Sequence, residues 1–184
     1  MISRRQFLQI TGAGAAGLLT GSMTSLISAG RANAAGQASS EFTPDLDIDL
    51  KAAAETIQIL PGSPTSVWRF QGQLLKGDRA SLVNLERSYL GPIIRARTGQ
   101  KVRIRFTNQM ADQTIVHWHG LHVPADMDGH PRLVIPRGET YVYEFEVRNR
   151  AGTYWYHPHP HGLTGPQVYG GLAGLFLVSD EEEE

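Results

Sequence analysis

The chain has 184 residues, no cysteine and a net charge of only −1. The lack of cysteine excludes disulfides and thiolate-ligated metal sites. The near balance of charge argues against nucleic acid or an anionic membrane surface as a partner.

The first 34 residues have the features of an export signal. Arg4 and Arg5 precede a weakly apolar stretch, rich in Gly, Ala, Thr and Ser, that runs to about Ile27. Residues 32–34, Ala-Asn-Ala, form a small-residue cleavage signature. We therefore predict a twin-arginine signal peptide at 1–34 and a mature periplasmic protein that begins near Ala35. The alternative, an N-terminal membrane anchor, is disfavoured because the apolar run is short and rich in glycine.

The mature part has the size of one domain. It retains 14 of the 17 basic residues and all 18 acidic ones, a net charge of about −4. No other run approaches the roughly 20 apolar residues of a membrane-spanning helix, so no membrane partner is predicted for the mature form. Residues 35–50 are polar and acidic and are predicted as a linker or extended arm, 51–180 as the folded domain, and 181–184 as an acidic tail.

The mature sequence has the residue pattern of a β protein. Residues 102–106 and 141–147 alternate between apolar and mostly charged side chains, as expected for strands with one buried face. Short turns containing Gly or Pro separate the runs, and no amphipathic helix is predicted. The fold class is therefore predicted as all-β, an antiparallel Greek-key β-sandwich. The predicted strands are 56–60, 66–70, 93–97, 102–106, 114–119, 140–147, 153–157 and 174–178.

All seven histidines lie between residues 117 and 161. Two H-x-H groups stand out, one formed by His117 and His119 and the other by His157 and His159. In a strand the two members of such a pair point the same way, with Cα atoms about 6.5–7 Å apart. That spacing suits two ligands that reach different ions of one metal cluster. His157 and His159 each precede a proline, which favours an extended backbone.

The ligand type predicts the metal. Neutral imidazole suits copper, zinc, iron and nickel, and a set of histidines without thiolate or paired carboxylates favours copper. A blue-copper site is excluded because its defining ligand is a cysteine thiolate. His122 and His130 are interpreted as ordinary structural histidines, and His161 as a candidate for orienting a ligand through a hydrogen bond.

Together these residues resemble a known family. The segments 117–120 (HWHG), 128–129 (DG) and 155–159 (WYHPH), with Gly162, Gln167 and 171–174 (GLAG), are similar to the first cupredoxin domain of multicopper oxidases. The resemblance covers about residues 51–180 and is strongest to bacterial periplasmic members of cuprous-oxidase and laccase type. It implies a cupredoxin-type sandwich.

The family resemblance also implies roles for individual residues. A trinuclear copper centre between two domains of such oxidases reduces dioxygen to water. By resemblance, His117 matches a ligand of the type 2 copper, and His119, His157 and His159 match ligands of the paired type 3 coppers. Asp128 matches an acid that helps to deliver protons, while its sequence context, Asp-Gly, is equally typical of a turn.

The resemblance covers half of a complete centre. The remaining four histidines and the type 1 copper site belong to a C-terminal domain in the family, so this chain is expected to act as a truncated first domain, inactive alone. The expected partners are copper, dioxygen and the complementary domain, or a second copy through self-association. The reducing substrate is expected to be a phenol or a metal ion. Two alternatives remain open: a non-catalytic periplasmic copper-binding module, and a metal-free interaction protein on the same scaffold.

Overall fold

Nine strands form two packed sheets in the computed structural model, which describes residues 36–182. The predicted signal peptide and its cleavage site lie outside the described residues. The strands are β1 (Leu46–Ile57), β2 (Thr65–Lys76), β3 (Leu82–Val83), β4 (Ile93–Arg97), β5 (Lys101–Asn108), β6 (Val116–His119), β7 (Thr140–Glu146), β8 (Gly152–Pro158) and β9 (Gly174–Ser179).

The two sheets have the strand orders β2-β1-β5-β7 and β3-β4-β9-β8-β6. The predicted all-β sandwich is confirmed, and most strand pairs are antiparallel as predicted, but two are parallel. Strand β1 pairs in parallel with β5, and β4 pairs in parallel with β9. Parallel neighbours require a crossover rather than a hairpin, and here the chain between β1 and β5 passes through the other sheet as β3 and β4.

Alternation along β6 determines which face of the sheet the histidines occupy. Trp118 is completely buried, and its ring packs edge-on against Tyr143 of the opposite sheet at a centroid distance of 5.2 Å. The same ring contacts Tyr156 of the neighbouring strand β8. Because successive side chains point to opposite faces, anchoring Trp118 in the core directs His117 and His119 to the outer face of the five-stranded sheet.

The first strand is much longer than predicted and begins inside the segment predicted as a linker or arm. Leu46, Ile48, Leu50 and Ala52 are all buried and point into the core. The intervening Asp47 pairs with Arg105 at 2.9 Å. An alternating apolar pattern is therefore present from residue 46, but two aspartates and a lysine make it look like a polar linker in the sequence.

Among residues 36–182, helical structure is limited to short segments. Three 3₁₀ turns occur at Arg79–Ser81, Ala125–Met127 and Pro131–Leu133, and one six-residue helix, α1, occupies Thr164–Tyr169. The sequence predicted no amphipathic helix, and α1, with Gln167 as its buried residue, is too short to show an amphipathic period. Within residues 36–182, no helix has the length and apolar character needed to span a bilayer.

Candidate metal centre

Two adjacent strands bring the two H-x-H groups together. Strands β6 and β8 pair antiparallel, with His117 directly opposite His157 and His119 directly opposite Trp155. Since paired residues share a face of the sheet, both groups point outward on the same side. The clustering suggested by sequence is therefore a consequence of strand register.

The four imidazoles lie close to one another. The His117 ring is 5.5, 5.3 and 5.3 Å from the rings of His119, His157 and His159, measured between centroids. One ring nitrogen each of His117, His119 and His157 lies within 4.8 Å of the other two. The shortest approach, 3.2 Å, joins Nδ1 of His119 to Nε2 of His157. Two nitrogens bound to one ion at about 2.0–2.1 Å in tetrahedral geometry would lie about 3.3–3.4 Å apart, so these two atoms can share an ion.

Backbone carbonyls orient two of the rings. Nδ1 of His117 donates to the carbonyl oxygen of Asp128 at 2.7 Å, and Nδ1 of His157 donates to that of Pro158 at 2.8 Å. A carbonyl can only accept, so in each neutral ring the proton is on Nδ1 and Nε2 has a free lone pair. This arrangement is typical of metal-binding histidines, whose second nitrogen is held by a hydrogen bond.

An aromatic contact orients the third ring. His119 is exposed, and its ring stacks on Trp155 at a centroid distance of 5.0 Å and an angle of 28°. Trp155 also lies 4.3 Å from the ring of His157. The indole therefore touches both imidazoles whose nitrogens make the closest approach, and restricts their rotation.

His159 supplies an unpaired buried nitrogen. Its main-chain N–H donates to the carbonyl of Ile115 at 3.1 Å, while its ring Nδ1 is buried and has no hydrogen-bond partner among residues 36–182. An unpaired buried polar atom costs free energy and is a reason to expect a ligand near the ring. Ring nitrogens of His117, His119 and His157 lie within 4.8 Å of one another, while those of His159 are outside this group. An all-imidazole donor set suits copper, so the chemistry of these residues fits the metal that the sequence predicted.

Asp128 lies in a turn and also beside a candidate metal ligand, the two contexts considered for it from the sequence. It ends the 3₁₀ turn Ala125–Met127, and Gly129 follows with a φ of +72°. Its carboxylate Oδ1 lies 3.3 Å from Nδ1 of His117, and the side chain is 45% exposed on the wall of a cavity of about 590 Å³. An acid in contact with both solvent and a candidate ligand is suitably placed for proton transfer, which stays a prediction.

The other three histidines lie on the exposed surface. The main-chain N–H of His122 donates to Asn149, and Nδ1 of His130 accepts from the N–H of Arg132, capping a 3₁₀ turn. His161 is exposed. None of the three belongs to the group of ring nitrogens that the described residues bring together.

Burial gives His157 a pH dependence that can be tested. As a whole residue, His157 is 6% exposed. Desolvation lowers its pKa below the ordinary 6.5, the hydrogen bond to Pro158 opposes the change, and neighbouring imidazoles add to the lowering. Below pH 6.5 the unfolded chain binds a proton more readily than the folded one, so His157 destabilises the metal-free protein as the pH falls. We expect the free energy of unfolding, measured with urea at pH 7.5 and 5.5, to fall more in the wild type than in His157→Gln. Equal falls in both proteins would contradict the assignment.

The two-sheet fold and the histidine cluster together define a cupredoxin-like domain with a candidate metal centre at the edge of one sheet. Residues 66–183 match the family model described as multicopper oxidase, and residues 1–21 match that of the twin-arginine translocation signal. The chain therefore belongs to the multicopper oxidase family. The signal match confirms the predicted export, consistent with the periplasm.

Individual relatives support the family assignment. The chain is 38% identical to multicopper oxidase mco of Staphylococcus aureus over 111 residues, which are 60% of this chain and 25% of that protein. It is 32% identical to cell division protein FtsP of Escherichia coli K12 over 186 aligned positions, covering 98% of this chain and 35% of that one. The McoA multicopper oxidase from Aquifex aeolicus superposes with a TM-score of 0.64 at 37% identity, over 77% of this chain and 28% of that chain. The chain thus spans about a quarter to a third of the length of these relatives.

Proposed function

We propose that this domain supplies four histidine ligands to a copper cluster that a second domain completes. His117 is assigned to the type 2 copper, and His119, His157 and His159 to the paired type 3 coppers. The main support is the convergence of the four rings, with centroid separations of 5.3–6.0 Å for the measured pairs, on one face of the β6–β8 pair.

Copper bound at such a centre would supply the electrons that reduce dioxygen to water, taken in turn from a phenolic or metal-ion substrate. The protein's part is to hold the ligands and to deliver protons. The carbonyls of Asp128 and Pro158 keep the metal-binding nitrogens of His117 and His157 unprotonated. The exposed carboxylate of Asp128, beside His117, can pass a proton from solvent toward the cluster.

The same outer face has an apolar surface next to the histidines. Trp155 and Leu175 pair directly across β8 and β9 and are 36% and 39% exposed. They border a cavity of about 160 Å³ whose lining is almost entirely apolar. Its other lining residues are Leu85, Leu90, Gly91, Ile93, Ala173 and Gly174. An apolar patch beside a half-built ligand set suits a docking surface for the complementary cupredoxin domain, since four histidines leave three ions with few protein ligands each.

Two other functions compete with this one. A copper-binding module without catalysis would need the same histidines but no docking domain. The other is a metal-free interaction protein on the same scaffold; the chain is also similar to FtsP, a protein named for cell division, across 98% of its length. The convergent histidines, two of them with correctly placed backbone acceptors, favour a metal site over that alternative.

The three functions differ in a copper and dioxygen assay. We expect the purified chain to retain copper after dialysis but to consume no dioxygen with a phenol or cuprous ion. Turnover should appear when a complementary family domain with the other four histidines is added. Leu175→Asp should lose this gain while binding copper as the wild type does, because Leu175 lines the apolar cavity and is not one of the proposed ligands.

Each other outcome selects a different function. Copper retention without turnover in any pairing selects the non-catalytic module. Loss of all copper on dialysis selects the metal-free role. Concentration-dependent turnover by the chain alone, abolished by Leu175→Asp, would show that a second copy serves as the partner.

A further inference from the structure

A buried amide joins the two histidine segments away from the imidazoles themselves. Gln167 is the only buried residue of the six in α1, with 1% of its surface exposed. Its Oε1 accepts from the hydroxyl of Thr114 at 2.8 Å, and its Nε2 donates to the carbonyl of Gln113 at 2.9 Å. Thr114 is itself fully buried. Both polar atoms of the amide are therefore satisfied inside the protein by one short segment.

That segment lies just before the first histidine group, and α1 begins a few residues after the second. Gln113 and Thr114 precede β6, while α1 begins five residues after His159. The carbonyl of Pro160 accepts from the N–H groups of Leu163 and Thr164, and from the Thr164 hydroxyl at 2.9 Å. The turn from His159 into the helix is thus closed by hydrogen bonds, so the position of α1 constrains the position of His159.

We propose that Gln167 is a positioning residue for His159, an inference that rests on the proposed copper site. The buried Nδ1 of His159 has no hydrogen-bond partner within residues 36–182, unlike Nδ1 of His117 and of His157. Its location depends on the backbone, which is tied to the first histidine segment at two points. One is the hydrogen bond from the His159 N–H to the carbonyl of Ile115. The other is the pair of hydrogen bonds that the Gln167 amide makes with Gln113 and Thr114, called the Gln167 clamp.

The clamp needs a side chain that both donates and accepts at fixed spacing. Gln167→Met keeps the length and apolar volume but removes both hydrogen bonds. Thr114→Val removes the hydroxyl while nearly keeping the shape, and Thr114→Ser retains the hydroxyl. Ile104→Val, at a fully buried position of β5 in the other sheet, serves as the control for a general loss of stability.

The test measures copper affinity by competition with a chelator, together with amide hydrogen exchange in the metal-free protein. We expect Gln167→Met and Thr114→Val to weaken copper binding about 10-fold, the lower end for partners that orient metal ligands. The His159 amide should exchange faster in both variants relative to core amides. Thr114→Ser should behave as the wild type, and Ile104→Val should change neither affinity nor the relative exchange of His159.

Two results would overturn the proposal. The first is that Gln167→Met binds copper and exchanges its His159 amide as the wild type does. The second is that Ile104→Val, compared at matched stability, changes copper affinity and His159 exchange as much as Gln167→Met does. If the wild type binds no copper, the proposed function fails, and the exchange of His159 alone decides whether Gln167 positions it.

Discussion

Replacing His119 and His157 together by glutamine should weaken copper binding by more than about 100-fold, because groups that only orient metal ligands already account for 10- to 100-fold. The nitrogens of these two residues approach to 3.2 Å, the separation expected for two ligands of one ion. Glutamine is polar and neutral but has no imidazole nitrogen. Copper affinity, measured by chelator competition, and the copper electron paramagnetic resonance spectrum would report the loss.

The control for this experiment uses the same chemistry outside the cluster. His122→Gln with His130→Gln removes two exposed histidines that lie apart from the grouped nitrogens. This pair of substitutions should leave copper affinity within about two-fold of the wild type, because substitutions at sites that share no contacts with the cluster have nearly independent effects. Equal losses in the two double variants would show that copper binds to histidines non-specifically and would remove the basis for the proposed centre.

The faces of the strands were predictable from the sequence, but their partners were not. Alternation around Trp118 is enough to place His117 and His119 together on one side. The register that sets His117 opposite His157 depends on how two segments 40 residues apart pair, which no local pattern specifies. The concentration of histidines indicated a common site, and the pairing of β6 with β8 explains it.

The supporting residues were harder to find in the sequence. Trp155 shares the face of His157 by alternation, so its contact with the cluster could have been anticipated once β8 was predicted. Gln167 and Gly129 are among the residues that carry the family resemblance, but their contacts could not be predicted. The hydrogen bonds of a buried amide and a close backbone approach depend on segments that are distant in sequence. The parallel pairing of β1 with β5 was missed for the same reason.

Gly129 illustrates how tightly the backbone of the site is packed. A Cβ at this position would lie 2.0 Å from the carbonyl oxygen of Val116 and 2.7 Å from the main-chain nitrogen of His117, in a residue with φ of +72°. Gly129→Ala therefore combines a left-handed backbone, costing about 1–2 kcal/mol, with an overpacking penalty of about 1–3 kcal/mol. We expect the free energy of unfolding, measured by urea titration of the metal-free protein, to fall by about 2–5 kcal/mol.

Gly129→Ala should also weaken copper binding. Relief of the clash must move the Asp128–Gly129 turn away from β6, which would break the hydrogen bond from His117 to the Asp128 carbonyl and weaken copper binding about 10-fold or more. Gly138→Ala is the matched control, because Gly138 has a similar φ of +83° but no atom within 4 Å of its Cβ position. The free energy of unfolding of Gly138→Ala should fall by only about 1–2 kcal/mol, the cost of the left-handed backbone, and its copper affinity should be unchanged. If the two variants behaved alike, contact between the turn and β6 would not be what holds His117 in place.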